Sequence, residues 1–199
     1  MSLAESFYQE SWEFYRGCSA HPFVQGLADG SLPLQCYQYY LAQDATFLGV
    51  YLRVLGMGLA KSHERRTQLA FSELIQATRG EQEREISEGA TPALPDPATA
   101  AYADFLLARG QGNLGEVTAA LAPCLSLYAY LAHELGPVAP GHPYQIWFSY
   151  YSDPEYLNQV RTLDALLDLH AAQQDFPHYH RALELEEQFF TSAWQRGKK

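Results

Sequence analysis

Three residues in this chain combine reactive side chains with apolar, aromatic surroundings. They are Asp44, at the end of the run that begins at His21, and Cys124 and Tyr128, in a second run from Ala119 to Gly136. Cys124 and Tyr128 are four positions apart and would share one face of a helix. A carboxylate can bind a polar edge, a thiol can attack an electron-poor carbon, and a phenol can donate a hydrogen bond. The combination is typical of a reaction pocket.

The Asp44 carboxylate is predicted to point inward or into a cleft. On a helix it shares a stripe with Tyr40, Phe47 and Tyr51. Two interpretations stay open, because a buried charge needs a partner: the carboxylate binds a ligand, or Arg53 or a backbone group satisfies it within the core.

Cys124 also has a structural alternative, since a buried cysteine is more often a small hydrophobic residue than a nucleophile. Two neighbours favour a reactive role. Pro123 removes one helical hydrogen bond immediately before the cysteine and often bends a helix where irregular backbone is useful. Tyr128, one turn further on, could hydrogen-bond a thiolate or a substrate nitrogen.

A second candidate carboxylate lies near the C-terminus, where Glu184, Glu186 and Glu187 precede Phe189. Glu186 is three positions before Phe189 and is therefore predicted on the aromatic side of its helix, with the other two in solvent. Aromatic residues make up 14% of the chain. Rings such as Tyr102 either fill the core or stack on a flat heterocycle.

The elements that would position these residues are predicted to be helices. Apolar residues recur at spacings of three and four, and no alternating strand pattern competes. Proline and capping residues mark helix starts at Pro22, Ser31 with Pro33, Asp96-Pro97 and Asp153-Pro154.

The ends of these helices are also marked. Gly30 ends a short helix, Gly136 ends the helix of Cys124, and the helix after Pro33 runs to about Lys61. The only long loop predicted is Ser87 to Thr99, rich in proline and small residues. We therefore expect residues 1–199 to form one all-α domain, a bundle of about seven to nine helices.

Charge and composition exclude some classes of partner. The 13 Lys and Arg residues against 23 Asp and Glu residues give a net charge of -10, and the one basic cluster is at residues 196–199. A nucleic-acid partner is therefore disfavoured. Ala45 to Ala60, the longest apolar-looking stretch, is interrupted by Arg53 and is shorter than the ~20 residues of a membrane span. No membrane association is expected.

The cysteines predict a reducing compartment. Cys18, Cys36 and Cys124 are odd in number and lack CxxC spacing, and the N-terminus lacks a charged segment followed by an apolar signal core. We expect a cytoplasmic location.

Five ordered segments together resemble the TenA family, also called thiaminase II or aminopyrimidine aminohydrolase. They are HPFxQxxxxGxLPxxxxxxYxxQD, AYxxFLL, AAxxPCxxxYxxxxxELG, PYxxWxxxY and ExxFF. The resemblance as a whole extends in order from about Phe7 to Trp194. The resemblance implies a haem-oxygenase-like all-helical fold and a homo-oligomer, either tetramer or dimer. It also implies hydrolysis at the aminomethyl or thiazolium-bearing carbon of a 4-amino-2-methylpyrimidine in thiamin salvage.

The resemblance also implies roles for individual residues. Cys124 matches the family nucleophile, Glu186 the proton-transfer glutamate, and Asp44 the carboxylate that holds the aminopyrimidine. The aromatic residues that line the family's pocket are matched here by Tyr102, Tyr128, Tyr151 and Phe47. No cofactor and no metal are implied.

The residue types fit this chemistry. A thiolate can add to a carbon of an electron-poor pyrimidine, and carboxyl groups that protonate or polarise the ring let the exocyclic amine leave before water adds and the thiol departs. Asp44 and Glu186 would then need different environments, one ionised and one able to carry a proton.

Three positions depart from the family pattern. Ser126 stands where many relatives have Trp, and Phe47 and Phe190 stand where Tyr and Trp are common. Ser126 either enlarges the pocket or faces away from it, since two residues are about 200° of helical rotation from Cys124.

Other functions on this fold stay open at the level of sequence. One is a cofactor-less ring oxidase or a di-iron oxygenase. A metal site is disfavoured, because His178 and His180 are two positions apart and point in different directions on a helix. Another is a regulatory protein that binds a pyrimidine without turnover. That protein would need Asp44 and the aromatic rings but neither Cys124 nor Glu186, so the thiol distinguishes the two hypotheses.

Overall fold

The computed structural model describes residues 1–196, which form ten α-helices and one short 3₁₀ helix, with no strand among them. The α-helices are α1 (Leu3–Glu10), α2 (Trp12–Ser19), α3 (Pro22–Asp29), α4 (Leu34–Lys61), α5 (Arg65–Ser87), α6 (Pro97–Gly110), α7 (Leu114–Leu135), α8 (Gln145–Tyr151), α9 (Pro154–His170) and α10 (Phe176–Arg196). The 3₁₀ helix is Gln173–Asp175. The predicted all-α class is confirmed.

The predicted helix starts and ends are largely confirmed because local chemistry sets them. Pro22 occupies the first turn of α3, and Gly30 ends that helix in the left-handed region at φ 78°. Asp96 begins α6 by accepting a hydrogen bond from the Thr99 amide at 2.8 Å. Gly136 is the C-cap of α7.

The predicted number of seven to nine helices is wrong for the described part of the chain. The single apolar pattern between Phe7 and Cys18 covers two helices, because α1 stops at Ser11 and α2 starts after it. The Ser11 amide donates to the carbonyls of both Phe7 and Tyr8. This local turn divides the segment into two helices without interrupting the apolar stripe.

Helix α7 lies at the centre of the bundle and packs against α4, α6, α9 and α10. Its N-terminus has a reciprocal capping box between Asn113 and Glu116. Several of its buried residues are alanines, which let neighbouring helices approach closely. By length and composition α7 could cross a membrane, but 78% of its apolar window is buried inside the protein, as in the core helix of a soluble protein.

The long connection between α5 and α6 is fixed to the middle of α4. Gln43 donates to the Leu94 carbonyl at 3.1 Å and accepts from the Asp96 amide at 3.0 Å. Thr46 adds a hydrogen bond to the Ala93 carbonyl at 2.7 Å. Gln43 therefore holds the loop, while Asp44, the next residue, turns to the interior of the bundle.

Candidate functional site

The two candidate carboxylates and the candidate thiol lie close together inside the bundle. Asp44 comes from α4, Cys124 from α7 and Glu186 from α10, and the three groups interact electrostatically with one another. All are buried, with exposed fractions of 4%, 9% and 2%. The prediction that all three residues lie on inward helix faces is confirmed. The packing of α7 against α4 and α10 brings those faces together.

Cys124 and Glu186 lie beside each other, and their side chains interact. The Tyr102 hydroxyl donates to Glu186 Oε1 at 3.0 Å. Tyr102 comes from α6 and is 1% exposed. A carboxylate so placed is within reach of the thiol proton, and its orientation is held from the opposite side by a phenol.

Burial dominates the protonation of this pair. It raises the pKa of Glu186 to about 8, against the hydrogen bonds from Tyr102 and Cys124, which favour the ionised form. Burial also raises the pKa of the Cys124 thiol well above its ordinary value, and the neighbouring charge of Glu186 raises it further. Near neutral pH the site therefore holds a neutral thiol beside a carboxyl group that can exchange a proton.

Aromatic rings lie beside the site. Phe47 lies 4.6 Å from Tyr102 and 6.2 Å from Phe189 between ring centroids. In a second group of rings, Tyr128 lies 4.8 Å from Tyr151 and 5.8 Å from Phe190. The residues predicted as pocket walls therefore lie near one another: Phe47, Tyr102, Tyr128 and Tyr151. Flat rings in offset or tilted arrangements suit a planar heterocycle.

The interpretation that Arg53 satisfies Asp44 is wrong. Arg53 is exposed, and the groups that contact the Asp44 carboxyl are Glu85 and Tyr40, with the charge of Arg84 nearby. Burial raises the pKa of Asp44, although these three neighbours lower it. The partner of the first carboxyl is therefore a second carboxyl.

Helix α5 supplies three residues that sequence reasoning missed: Glu81, Arg84 and Glu85. Glu81 and Glu85 are 5% and 0% exposed. A signal was present, since Phe71 and Thr78 lie on the same buried stripe, which continues to Glu81 and Glu85 at spacings of three and four. The polar composition of α5 hid it.

Glu81 and Arg84 connect this part of the site to α8. The Tyr151 hydroxyl donates to Glu81 Oε1 at 2.7 Å, and Arg84 Nη2 lies 3.7 Å from the same oxygen. The guanidinium of Arg84 also covers the ring of Tyr150 at 4.4 Å. Burial and the charge of Asp44 raise the pKa of Glu81 to about 7, against the attraction of Arg84.

Two buried polar groups beside Asp44 have no well-directed partner. The Tyr40 hydroxyl faces Asp44, Tyr128 and Trp147, but neither it nor the Trp147 indole N–H makes a hydrogen bond of good geometry. Since buried polar groups are normally satisfied, such groups are suited to a polar ligand in this space.

Ser126 does not border this site. Its hydroxyl lies 2.6 Å from the Tyr15 hydroxyl and 3.4 Å from that of Tyr179, in a separate depression that includes Asp164. The structure therefore supports the second of the two interpretations of this departure. Ser126 is on the face of α7 that points away from Cys124.

A separate surface groove lies outside this site. It has a volume of about 1550 Å³ and lies between α5, α8 and α9. Arg84 and Tyr150 line it, so Arg84 lies between this groove and the buried carboxyls. Within residues 1–196, no group of three His, Cys, Asp or Glu side chains is arranged to hold a metal ion.

Comparison with known proteins gives consistent relatives. Residues 8–196 match the family model described as TENA/THI-4/PQQC family. An aminopyrimidine aminohydrolase of Bacillus subtilis is 31% identical over 80% of this chain and 73% of its own length. One from Halalkalibacterium halodurans is 32% identical over 84% of this chain and 81% of its own.

Solved structures agree on the fold. A TenA family transcription regulator from Silicibacter sp. has a TM-score of 0.88 at 25% identity, with 98% of this chain and 97% of that chain covered. A TenA homologue from P. horikoshii has a TM-score of 0.85 at 26% identity, with 99% and 100% covered. The haem-oxygenase-like all-α fold that the sequence resemblance implied is confirmed.

Proposed function

This chain belongs to the TENA/THI-4/PQQC family, and we propose that it is a hydrolase of thiamin salvage that acts on an aminopyrimidine. The substrate class is 4-amino-5-aminomethyl-2-methylpyrimidine or a related thiamin degradation product. The products are the hydroxymethylpyrimidine and the released amine. The names of the relatives from B. subtilis and H. halodurans support this class.

The observation that carries the proposal is the buried pair of Cys124 and Glu186. Structural cysteines do not need a carboxyl partner. Burial of a carboxyl group at 2% exposure costs free energy, and such groups are concentrated at functional sites. Tyr102 holds the carboxyl in place. A thiol beside a base, with the base held by a third group, is the arrangement of an activated nucleophile.

The pyrimidine binds between the two aromatic walls with its amino edge at Asp44. The ring lies among Phe47, Tyr128 and Tyr151, which exclude water and hold it flat. The 4-amino group donates a hydrogen bond to the Asp44 carboxyl, the neighbouring ring nitrogen lies beside the same carboxyl, and the net acidic interior suits a basic or cationic ligand.

The reaction begins when Glu186 takes the proton of Cys124. The sulfur bonds to the ring carbon next to the one that bears the aminomethyl arm, and the ring electrons shift towards the nitrogen beside the 4-amino group. When those electrons return, the bond between the exocyclic carbon and its amine breaks. Glu186 gives its proton to the departing amine.

The second half of the reaction restores the enzyme. Water adds to the exocyclic methylene, with its proton taken up by Glu186, and the ring–sulfur bond then breaks. The sulfur recovers a proton from Glu186, so thiol and carboxylate both return to their starting states. Each proton and electron pair is thereby accounted for without a redox partner.

The test is ammonia release from aminomethylpyrimidine by the purified chain, together with mass-spectrometric detection of hydroxymethylpyrimidine. We expect both products in equal amounts with wild type, and neither with Cys124→Ala. A protein that binds the pyrimidine without turnover would need Asp44 and the walls only. Tight binding with no ammonia release would therefore refute the hydrolase and favour a binding protein.

A further inference from the structure

The contact between Asp44 and Glu85 imposes a condition on the site. The two carboxyl groups lie within hydrogen-bonding range of each other. Glu85 is 0% exposed, and its Oε2 has no N–H or O–H partner. Two ionised carboxylates only accept hydrogen bonds and repel each other, so a buried contact of this kind requires one proton between them.

We propose that Glu85 is a positioning residue for the reaction. Glu85 and Asp44 together hold one proton, and Asp44 donates that proton reversibly to the pyrimidine nitrogen beside the 4-amino group. The proposal rests on the proposed function. It assigns to α5 a part in the chemistry that neither the relatives nor the sequence pattern supplied.

The charges around the pair favour a retained proton. Arg84 is the cation in contact, 3.5 Å from Glu85 Oε1 and 3.7 Å from Glu81 Oε1, and it also pairs with Glu88. One positive charge thus faces Asp44 and three glutamates. Burial, followed by the charge and hydrogen bond of Asp44, raises the pKa of Glu85 to about 12.

Groups from the other helices do not replace this proton. The phenols Tyr40 of α4, Tyr128 of α7 and Tyr151 of α8 are buried, which raises their pKa values well above 10 and keeps them neutral. Glu186 of α10 and Cys124 of α7 interact with Asp44 but already exchange a proton with each other.

The reaction needs such a proton at the opposite edge of the ring from the thiol. When sulfur adds, electrons move to the ring nitrogen beside the 4-amino group, and the pair donates its proton there. When the amine leaves, that N–H returns its proton to the pair. Addition of water and loss of the thiol repeat the cycle, so the pair gives and regains one proton twice in each turnover.

The variant that tests this role is Glu85→Gln, with Glu83→Gln on the exposed face of the same helix as the matched control. Glutamine can still donate a hydrogen bond to Asp44 but cannot release a proton. We expect kcat to fall by about 10²-fold, the lower end of the effect of general acid–base catalysis, with KM changed by about threefold or less.

The pH dependence separates proton supply from packing. In Glu85→Gln, Asp44 must take its proton from solvent, so the ratio of variant to wild-type kcat should rise as the pH falls. Glu186 titrates in both proteins and cancels from the ratio. A kcat within about twofold of wild type, or a ratio that does not change with pH, would overturn the proposal.

Infrared spectroscopy of wild type tests the pair without reference to activity or to any variant. At about pH 9, above the pKa values of about 7 for Glu81 and about 8 for Glu186, a carboxylic-acid C=O band should remain. Its absence would refute the shared proton. A band in a protein that releases no ammonia would instead refute the proposed function and leave the pair intact.

Discussion

Replacement of Glu186 by glutamine tests the centre of the proposed mechanism. Glutamine has nearly the same shape and can still accept the hydrogen bond from Tyr102, which lies at 3.0 Å in the wild type. It cannot take the thiol proton. The variant therefore removes the base and leaves the packing of α10 in place.

The size of the effect follows from the thiol. Burial and the surrounding charges hold the pKa of Cys124 well above 9, so without a base less than about one molecule in 100 carries a thiolate at pH 7. We expect kcat in Glu186→Gln to fall at least about 10²-fold, with KM changed little, because Asp44 and not Glu186 holds the amidine-like edge of the substrate.

The pH profile supplies a second measurement. Glu186 accepts the thiol proton only when ionised, and its pKa is raised to about 8, so wild-type kcat/KM should increase as the pH rises through about 8. In Glu186→Gln that inflection should be lost. The matched control is Glu187→Gln, the exposed neighbour, which should retain both rate and profile.

The assay is steady-state ammonia release from aminomethylpyrimidine across pH 6 to 10, with circular dichroism to verify folding. A variant that raised KM alone would show that Glu186 binds substrate without transferring a proton. A variant that kept the inflection near pH 8 would assign that titration to another group. Either result would refute the reasoning.

Three further predictions concern Cys124, Asp44 and Ser126. Cys124→Ser should remove most turnover, since a hydroxyl is a far weaker nucleophile than a thiol, while the affinity for the product pyrimidine, measured by calorimetry, changes by a few-fold at most. Cys18→Ser should keep the wild-type kcat. Comparable losses in both variants would contradict a special role for Cys124. Asp44→Asn should raise KM and lower kcat, because an amide is a weaker acceptor than a carboxylate for the 4-amino group and cannot pass a proton to the ring nitrogen; a variant that kept the wild-type kcat would contradict proton transfer through Asp44. Ser126→Ala should lower the free energy of unfolding by about 1 kcal/mol through loss of its hydrogen bonds, including the one to Tyr179, and leave kcat unchanged, while a change in substrate preference would return it to the pocket.

Sequence reasoning succeeded where the signal is local. Helix α3 begins at Pro22 and ends before Gly30 because a ring and a missing side chain fix those backbone angles. The inward orientation of Asp44 and Glu186 followed from the spacing of neighbouring aromatic residues. The division at Ser11 was missed because the apolar stripe continues across it.

The remaining features depend on how helices meet. The partner of Asp44 is Glu85, about 40 positions away on α5, and only the packing of α4 against α5 brings the two together. A pattern of polar residues such as Glu81 to Ser87 reads as a solvated face. Periodicity identified the inward face of α4, but it does not say which charged residue of another helix lies opposite.

The enclosure of the site has a kinetic consequence. Asp44, Cys124 and Glu186 are at most 9% exposed, so we expect a pyrimidine to reach them only when surrounding side chains or helices move, and the product to leave in the same way. Association should therefore be slower than a diffusion-limited collision and set by how often the bundle opens, a motion on the microsecond to millisecond scale. A heterocycle that enters then reacts in a space shielded from bulk solvent. The turnover rate can therefore be limited by substrate entry or product release rather than by bond breaking.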